Sequence, residues 1–291
     1  MKKIEDIKTL KKRIKELEKE NDLLKKKNDI FYTSKKTVKT PSEIAPLFDK
    51  VSEIVKNYLD KVFIDYALIG STFAYKVPNK KAILAPHQEW TMVDEDKYVC
   101  ITCWIPLMDI THNNGVVYVL PGSHLQKYRT IRGIGIDFYY SKYNDEVYAY
   151  SIPVLSKAGH ALIMNQNLIH YSTPNFSKEV RRALITSVKS AAASGTFLYY
   201  KSKERDEIEK YLVEDDFLMK SEDFFYDIAS KPHGQFLEVK KNEAPEYSRN
   251  QIQQLFEDML LKSEYCNSSN DINRIKRSNF FRRIRNFFNA L

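Results

Sequence analysis

Cysteine is scarce in this chain: 291 residues hold Cys100, Cys103 and Cys266 and no others. An odd, sparse set offers no disulfide framework and points to a reducing compartment, so a cytoplasmic location is expected. Cys100 and Cys103 form a C-x-x-C. In a strand, however, positions three apart face opposite ways, and no second pair completes a zinc site. Long apolar runs are absent too. None approaches the ~20 residues of a membrane-spanning helix, and none follows the initial Met-Lys-Lys as a secretory signal would. A basic excess is missing from the body of the chain. Of the net charge of +8, residues 1–30 carry +4 and residues 272–291 carry +6, which leaves −2 between. Such a body cannot track phosphates, and nucleic acid is not an expected partner.

What is present divides the chain. Residues 4–30 are charged and free of Gly and Pro, with Ile7, Leu10, Ile14, Leu17 and Leu24 at alternating a and d positions and Asn21 and Asn28 at a. That pattern predicts a coiled coil over 1–30 and a homo-oligomer held through residues 4–30. A single solvated helix docked on its own chain is the alternative. Residues 31–40 read as a linker. Thr40-Pro41-Ser42-Glu43 then starts a helix, with an apolar stripe from Ile44 to Leu59.

From about Val62 to Ala192 the pattern changes to short β-rich runs separated by turn signals such as Asn113-Asn114-Gly115 and Pro121-Gly122-Ser123. Nineteen tyrosines and sixteen phenylalanines fit aromatic packing in sheets. The pattern predicts a mainly β domain over 41–200, a sandwich or barrel with flanking helices. Among the runs are Phe63–Ile69, Val99–Ile105, Tyr148–Val154 and Ala183–Val188. Residues 201–264 read as a mostly helical extension, in Lys203–Val213 and Asn250–Leu261. Residues 272–291 form a basic amphipathic tail: Phe280, Phe281, Ile284, Phe287 and Phe288 share a face, with arginines largely off it. Such a tail fits peripheral contact with an anionic membrane face, or docking on the body or a partner subunit.

The chemistry centres on His87 and Glu89. In an extended segment, residues two apart share a face. An imidazole and a carboxylate there are two thirds of a 2-His-1-carboxylate Fe(II) site, and His170 on another strand offers the third donor. Three ligands on one face leave three positions open. If 2-oxoglutarate takes two, its far carboxylate needs a guanidinium, whose planar fork binds it twice. Arg181 and Arg182 open the strand after His170, and adjacent positions face opposite sides, so one points inward. A turn at Pro174-Asn175 is expected to lay that strand beside the one carrying His170.

An ordered set of segments spans residues 60–192. It runs from Pro86-His87-Gln88-Glu89-Trp90 through Cys103-Trp104-Ile105-Pro106 and Asn114-Gly115 to Pro121-Gly122-Ser123-His124. Leu168-Ile169-His170-Tyr171-Ser172 and Arg181-Arg182-Ala183 complete it. The set resembles the phytanoyl-CoA dioxygenase family of Fe(II)/2-oxoglutarate oxygenases. The resemblance implies a double-stranded β-helix, or jelly roll. It implies His87, Glu89 and His170 as metal ligands and catalytic residues, and Arg181 as the 2-oxoglutarate clamp. Ser172 would hold the same carboxylate; Trp104 and Thr102 would line the co-substrate pocket, with Lys76 a further candidate. The implied reaction hydroxylates a small molecule using O2; the coiled coil before the domain and the basic tail after it, not the resemblance, suggest a lipid, an activated sugar or a surface-glycan precursor as that molecule.

Two positions depart from the family. Glu89 stands where aspartate is usual, which argues against halogenation, since halide needs a small residue there. His160 follows Gly159 where aspartate is common. A non-catalytic binding or assembly protein, kept open by Glu89, and a cupin-like epimerase or isomerase, opposed by Arg181, are the rival readings.

Overall fold

A computed structural model describes residues 31–33, 41–79, 83–126, 132, 133, 136, 138–202, 207–217, 234–241 and 245–263. The expected coiled coil of residues 1–30 and the tail of 272–291 lie outside these residues.

The first helix, α1 (Pro41–Leu59), begins and ends where its sequence signals place it. Val51, Val55 and Leu59, four residues apart, form its buried stripe. They pack on one face of a five-stranded antiparallel sheet, against Phe73, Tyr75, Cys103, Leu184 and Val188. That sheet contains β1 (Phe31–Thr33), β2 (Tyr66–Lys76), β4 (Cys100–Pro106), β7 (Leu162–Asn165) and β9 (Arg181–Ser190), in the order β1-β2-β9-β4-β7. β1 occupies the start of the expected linker 31–40. Cys100 and Cys103 are buried in two different apolar clusters, as opposite-facing strand positions require.

A second antiparallel sheet has the order β3-β8-β5-β6, from β3 (Leu84–His87), β5 (Val117–Val119), β6 (Ile152–Val154) and β8 (His170–Ser172). Its cover is helical: α2 (Asn144–Tyr150) and α3 (Arg249–Lys262). Tyr148 meets Tyr171 edge-on, and Phe256 of α3 touches the rings of Tyr140 and Tyr150. α3 starts with a capping box, Ser248 accepting from Gln251 N–H while the Gln251 side chain accepts from Ser248 N–H. Trp104, Met164 and Ala183 of the first sheet share one buried cluster with Val117, Val119 and Tyr171 of the second, so the two sheets close on each other.

Four expectations are corrected. Tyr148–Val154 is not one strand. It is the end of α2 followed by β6, because Val147, Tyr148 and Tyr150 are all buried in the cluster that α3 completes. The strand read at Phe63–Ile69 is β2, which runs on to Lys76. Among its described residues, the 201–264 segment is not mostly helical. β10 (Gly195–Ser202), β11 (Glu207–Val213) and β12 (Gln235–Lys241) form a third antiparallel sheet, and the helix α3 follows it. Finally, β8 and β9 are not neighbours but belong to different sheets. Asn175 makes the crossing, donating from Nδ2 to the carbonyls of Lys76 and Glu179.

Two glycines of the turn motifs earn their places through close approach. Gly122 has φ +76°, and a Cβ there would lie 2.2 Å from the Met259 carbonyl oxygen of α3. The same turn buries Ser123, whose Oγ accepts from Ile169 N–H at 2.8 Å and so fixes the entry to His170. Gly115 has φ +83°, and a Cβ there would lie 2.6 Å from Cδ of Lys76. The Asn-Gly turn therefore leaves room for the Lys76 stem to cross between the sheets.

Candidate metal centre and anion pocket

His87 ends β3 and pairs directly with His170 of β8. Glu89 lies just past the strand, with its N–H on the Gln166 carbonyl at 3.0 Å. The side chains of His87, Glu89 and His170 converge, each offering one donor atom within 4.8 Å of the other two. The imidazoles are held alike. His87 Nδ1–H donates to the Ala85 carbonyl at 2.8 Å, and His170 Nδ1–H to the Leu168 carbonyl at 2.9 Å. A carbonyl only accepts, so each Nδ1 carries the proton, which leaves both Nε2 atoms for the centre. Backbone anchoring of the far nitrogen is how metal-binding histidines are oriented. His170 Nε2 sits 3.5 Å from Glu89 Oε1.

Burial, and then the adjacent His170 ring, push the His87 imidazole down to about 4, so it is neutral near pH 7 and available as a donor. Burial opposes ionisation of Glu89, but His170, then His87 and Arg132, outweigh it and hold the carboxyl below its usual range. Two imidazole nitrogens and one carboxylate on one side of a cavity fit a divalent ion of the Fe(II) kind. That cavity, of about 310 Å³, is walled by Trp90, Arg132, Ile136 and Phe138.

A second cluster lies beside the first. Lys76 and Arg181 face each other in the β2–β9 register and are almost fully buried. Lys76 Nζ donates to Ser172 Oγ at 2.6 Å, to the Thr173 carbonyl at 2.7 Å and to the Ser172 carbonyl at 3.1 Å. The Arg181 guanidinium lies 5.3 Å from the Trp104 ring centroid, and its Nε is buried without a hydrogen-bond partner. Among the described residues neither side chain has an ion pair with a carboxylate. A buried guanidinium whose Nε lacks a partner, beside a buried lysine, fits an anionic ligand, and a dicarboxylate such as 2-oxoglutarate would supply the missing charge. Arg182 points the other way and is half-buried. Thr102 is buried on the same strand as Trp104, but its hydroxyl lies 3.4 Å from Ser187 Oγ, farther along β9 than the Arg181 cluster. His124 is half-buried in its turn, and His112 and His160 are exposed.

Burial, and then Arg181, push Lys76 down to about 6. The unfolded chain therefore holds more protons than the folded one between pH 6 and about 10.5, and stability contributed by this group rises with pH across that window, by at most ~1.4 kcal/mol per unit. Lys76→Met is expected to flatten the rise. Denaturant unfolding of both ligand-free proteins at pH 6.5 and 8.5 checks it; parallel pH profiles would sink the assignment.

Sequence reasoning missed Arg132, Glu95 and Asn167. Gln88, inside the H-x-E, donates to the carbonyl of Asn167 at 2.6 Å and to its side-chain oxygen at 2.5 Å, tying the metal segment to the turn before His170. Its position between two candidate ligands was the available signal. Nothing in spacing places residue 132 beside residue 89.

The phytanoyl-CoA dioxygenase (PhyH) family model matches residues 3–183. Phytanoyl-CoA dioxygenase 1 of Oryza sativa subsp. japonica is 30% identical over 148 residues, 49% of this chain and 52% of that protein. Phytanoyl-CoA dioxygenase of Arabidopsis thaliana is 34% identical over 119 residues, 40% of this chain and 42% of that one. The chain thus spans about half the length of the curated relatives it matches. The crystal structure of AviO1 from Streptomyces viridochromogenes Tue57 aligns with 17% identity and a TM-score of 0.44, over 65% of this chain and 86% of that one. With the family model covering more than half of its residues, the chain belongs to the phytanoyl-CoA dioxygenase family.

Proposed function

We propose that this protein is an Fe(II)- and 2-oxoglutarate-dependent dioxygenase that hydroxylates a small molecule, and that its two closed sheets form a jelly roll. The observation that carries the reading is the convergence of His87, Glu89 and His170 within 4.8 Å beside the buried Lys76 and Arg181, which have no carboxylate partner among the described residues. When bound, iron and 2-oxoglutarate supply the oxidising chemistry: substrate C–H, O2 and 2-oxoglutarate become C–OH, succinate and CO2.

The chain's own residues do the rest. His87, Glu89 and His170 hold the ion on one side and leave the other open. Arg181, with Lys76 and Ser172, binds the far carboxylate of the co-substrate, and the Trp104 ring keeps that guanidinium in place and water out. Thr102 lines the same inner face. The cavity bounded by Trp90, Ile136 and Phe138 admits a substrate with an apolar or aromatic reacting part. Self-association through residues 4–30 and membrane contact through 272–291 belong to the same proposal and would hold the enzyme near a lipid or glycan precursor. No described helix is long and apolar enough to cross a membrane.

The test is an anaerobic titration of Fe(II) and 2-oxoglutarate into the apo protein. A visible charge-transfer band of the chelate is expected, followed by succinate release when O2 is admitted. Metal binding without a band would favour a cupin-like isomerase, and no metal binding would leave a binding or assembly protein.

A further inference from the structure

β3 ends at His87, so no strand ladder fixes the backbone of Glu89. Glutamate also carries one more rotatable bond than the aspartate usual at this place, so its oxygens can sweep a larger volume. Its backbone is nevertheless held at both ends. The N–H goes to Gln166, and the carbonyl accepts from Arg132 Nε at 2.7 Å. Arg132 is itself built in. Its side chain is 6% exposed, its Nη2 lies 2.5 Å from Glu95 Oε1, and its own carbonyl accepts from Thr91 N–H at 3.2 Å. Both neighbours of Trp90 are thereby tied to one residue, through its backbone on one side and its guanidinium on the other.

A buried ion pair is a poor source of stability, because desolvation consumes most of its attraction. It is a good source of fixed geometry, because the planar fork accepts few arrangements. Arg132 also walls the cavity next to His87 and Glu89. We propose that Arg132, braced by Glu95, is the positioning residue that sets the Glu89 carboxylate for metal binding and lets glutamate serve there. The proposal rests on reading Glu89 as a ligand. Arg132 is not one of the three donor residues; it acts on Glu89, through its carbonyl.

The experiment uses Mn(II) as a redox-inert probe, with free ion followed by its paramagnetic resonance signal and apo stability by thermal melting. Wild-type protein is expected to bind Mn(II), and Glu89→Ala to lose it. Arg132→Gln should raise the dissociation constant about 10- to 100-fold, the range seen when groups that orient metal ligands are removed. Arg132→Lys, which keeps a charged donor, should fall between. Glu95→Gln leaves the arginine in place with a hydrogen-bond acceptor and should raise the constant several-fold, with a lower melting temperature but a folded protein; it decides the matter if Arg132→Gln does not fold. No Mn(II) binding by wild type overturns both the metal reading and this one. Binding lost in Glu89→Ala but within twofold of wild type in Arg132→Gln, or in Glu95→Gln where that variant decides, overturns this proposal alone. Equal weakness of Arg132→Gln and Arg132→Lys overturns it as well, since mere packing loss would then suffice.

Discussion

Arg181→Met is expected to weaken 2-oxoglutarate binding by two orders of magnitude or more, to change metal affinity less than threefold, and to raise the melting temperature of the ligand-free protein. All three follow from one fact. Arg181 is buried, stacked on Trp104, and has no hydrogen-bond or ion-pair partner among the described residues, while Lys76 faces it across the strand pair and adds no acid. An unpaired buried charge carries a penalty of several kcal/mol, which methionine removes while keeping much of the stem volume. Burial already pushes the guanidinium down to about 10. Truncating one side of a buried charge pair in a complex costs about 2–5 kcal/mol, or roughly 30- to several-thousand-fold in affinity. Of the three proposed metal donors, His87 and His170 sit on the other sheet and Glu89 just past it, so metal affinity should be spared. Calorimetric titration of 2-oxoglutarate into Mn(II)-loaded protein, beside Mn(II) titration and melting of the apo form, reads all three. Parallel loss of metal and co-substrate would mean that Arg181 is structural, and a lower apo melting point would contradict its lack of partners.

The same residue shows what sequence could and could not supply. That one arginine of the pair faces inward follows from the period of two, and Arg181 and Arg182 divide accordingly. That β9 lies beside β2 rather than β8 does not follow, because Pro174-Asn175 reads equally well as a hairpin turn or as a crossing between sheets. Asn175 decides it by bonding to Lys76, far away in sequence. Lys76 was visible only as a lysine near the metal strand. Its importance comes from being carried by β2 to a point opposite Arg181, with Gly115 leaving it room.

The third sheet was hidden for a different reason. Ile208, Tyr211 and Leu212 have helical spacing, and the intervening charges look solvated. The strand instead turns Glu209, Tyr211 and Val213 to the buried side. A carboxylate is tolerated there because Lys201 Nζ lies 3.2 Å from it and the Tyr211 hydroxyl donates to it. No local pattern announces such a pairing. By contrast, α1, β4 and most of β9 were legible because capping residues and alternating burial agreed with the sheet they join.

His170→Ala is expected to abolish measurable metal binding at Mn(II) concentrations that saturate wild type, at least a 100-fold loss, with the protein still folded. His170 is one of three donors, and its Nδ1 is spent on Leu168, so no other atom of β8 can replace its Nε2. Tyr171 faces the other way and stacks on Tyr118, and Ser172, on the same face as His170, is taken up by Lys76. Glu89→Asp is the sharper companion. If the third donor needed only a carboxylate, aspartate should bind as well as glutamate, or better, since it is the usual residue of the family. If the backbone of residue 89 is set by Gln166 and Arg132 for the longer side chain, aspartate falls short by about one C–C bond, ~1.5 Å, and metal coordination tolerates only about ±0.2 Å. A loss of roughly tenfold is therefore expected for Glu89→Asp, the scale of an orienting contact rather than of a ligand removed. Equal or tighter Mn(II) binding by Glu89→Asp would show that the segment adjusts freely, and the pinned-backbone account of this centre would fail while His170 kept its role.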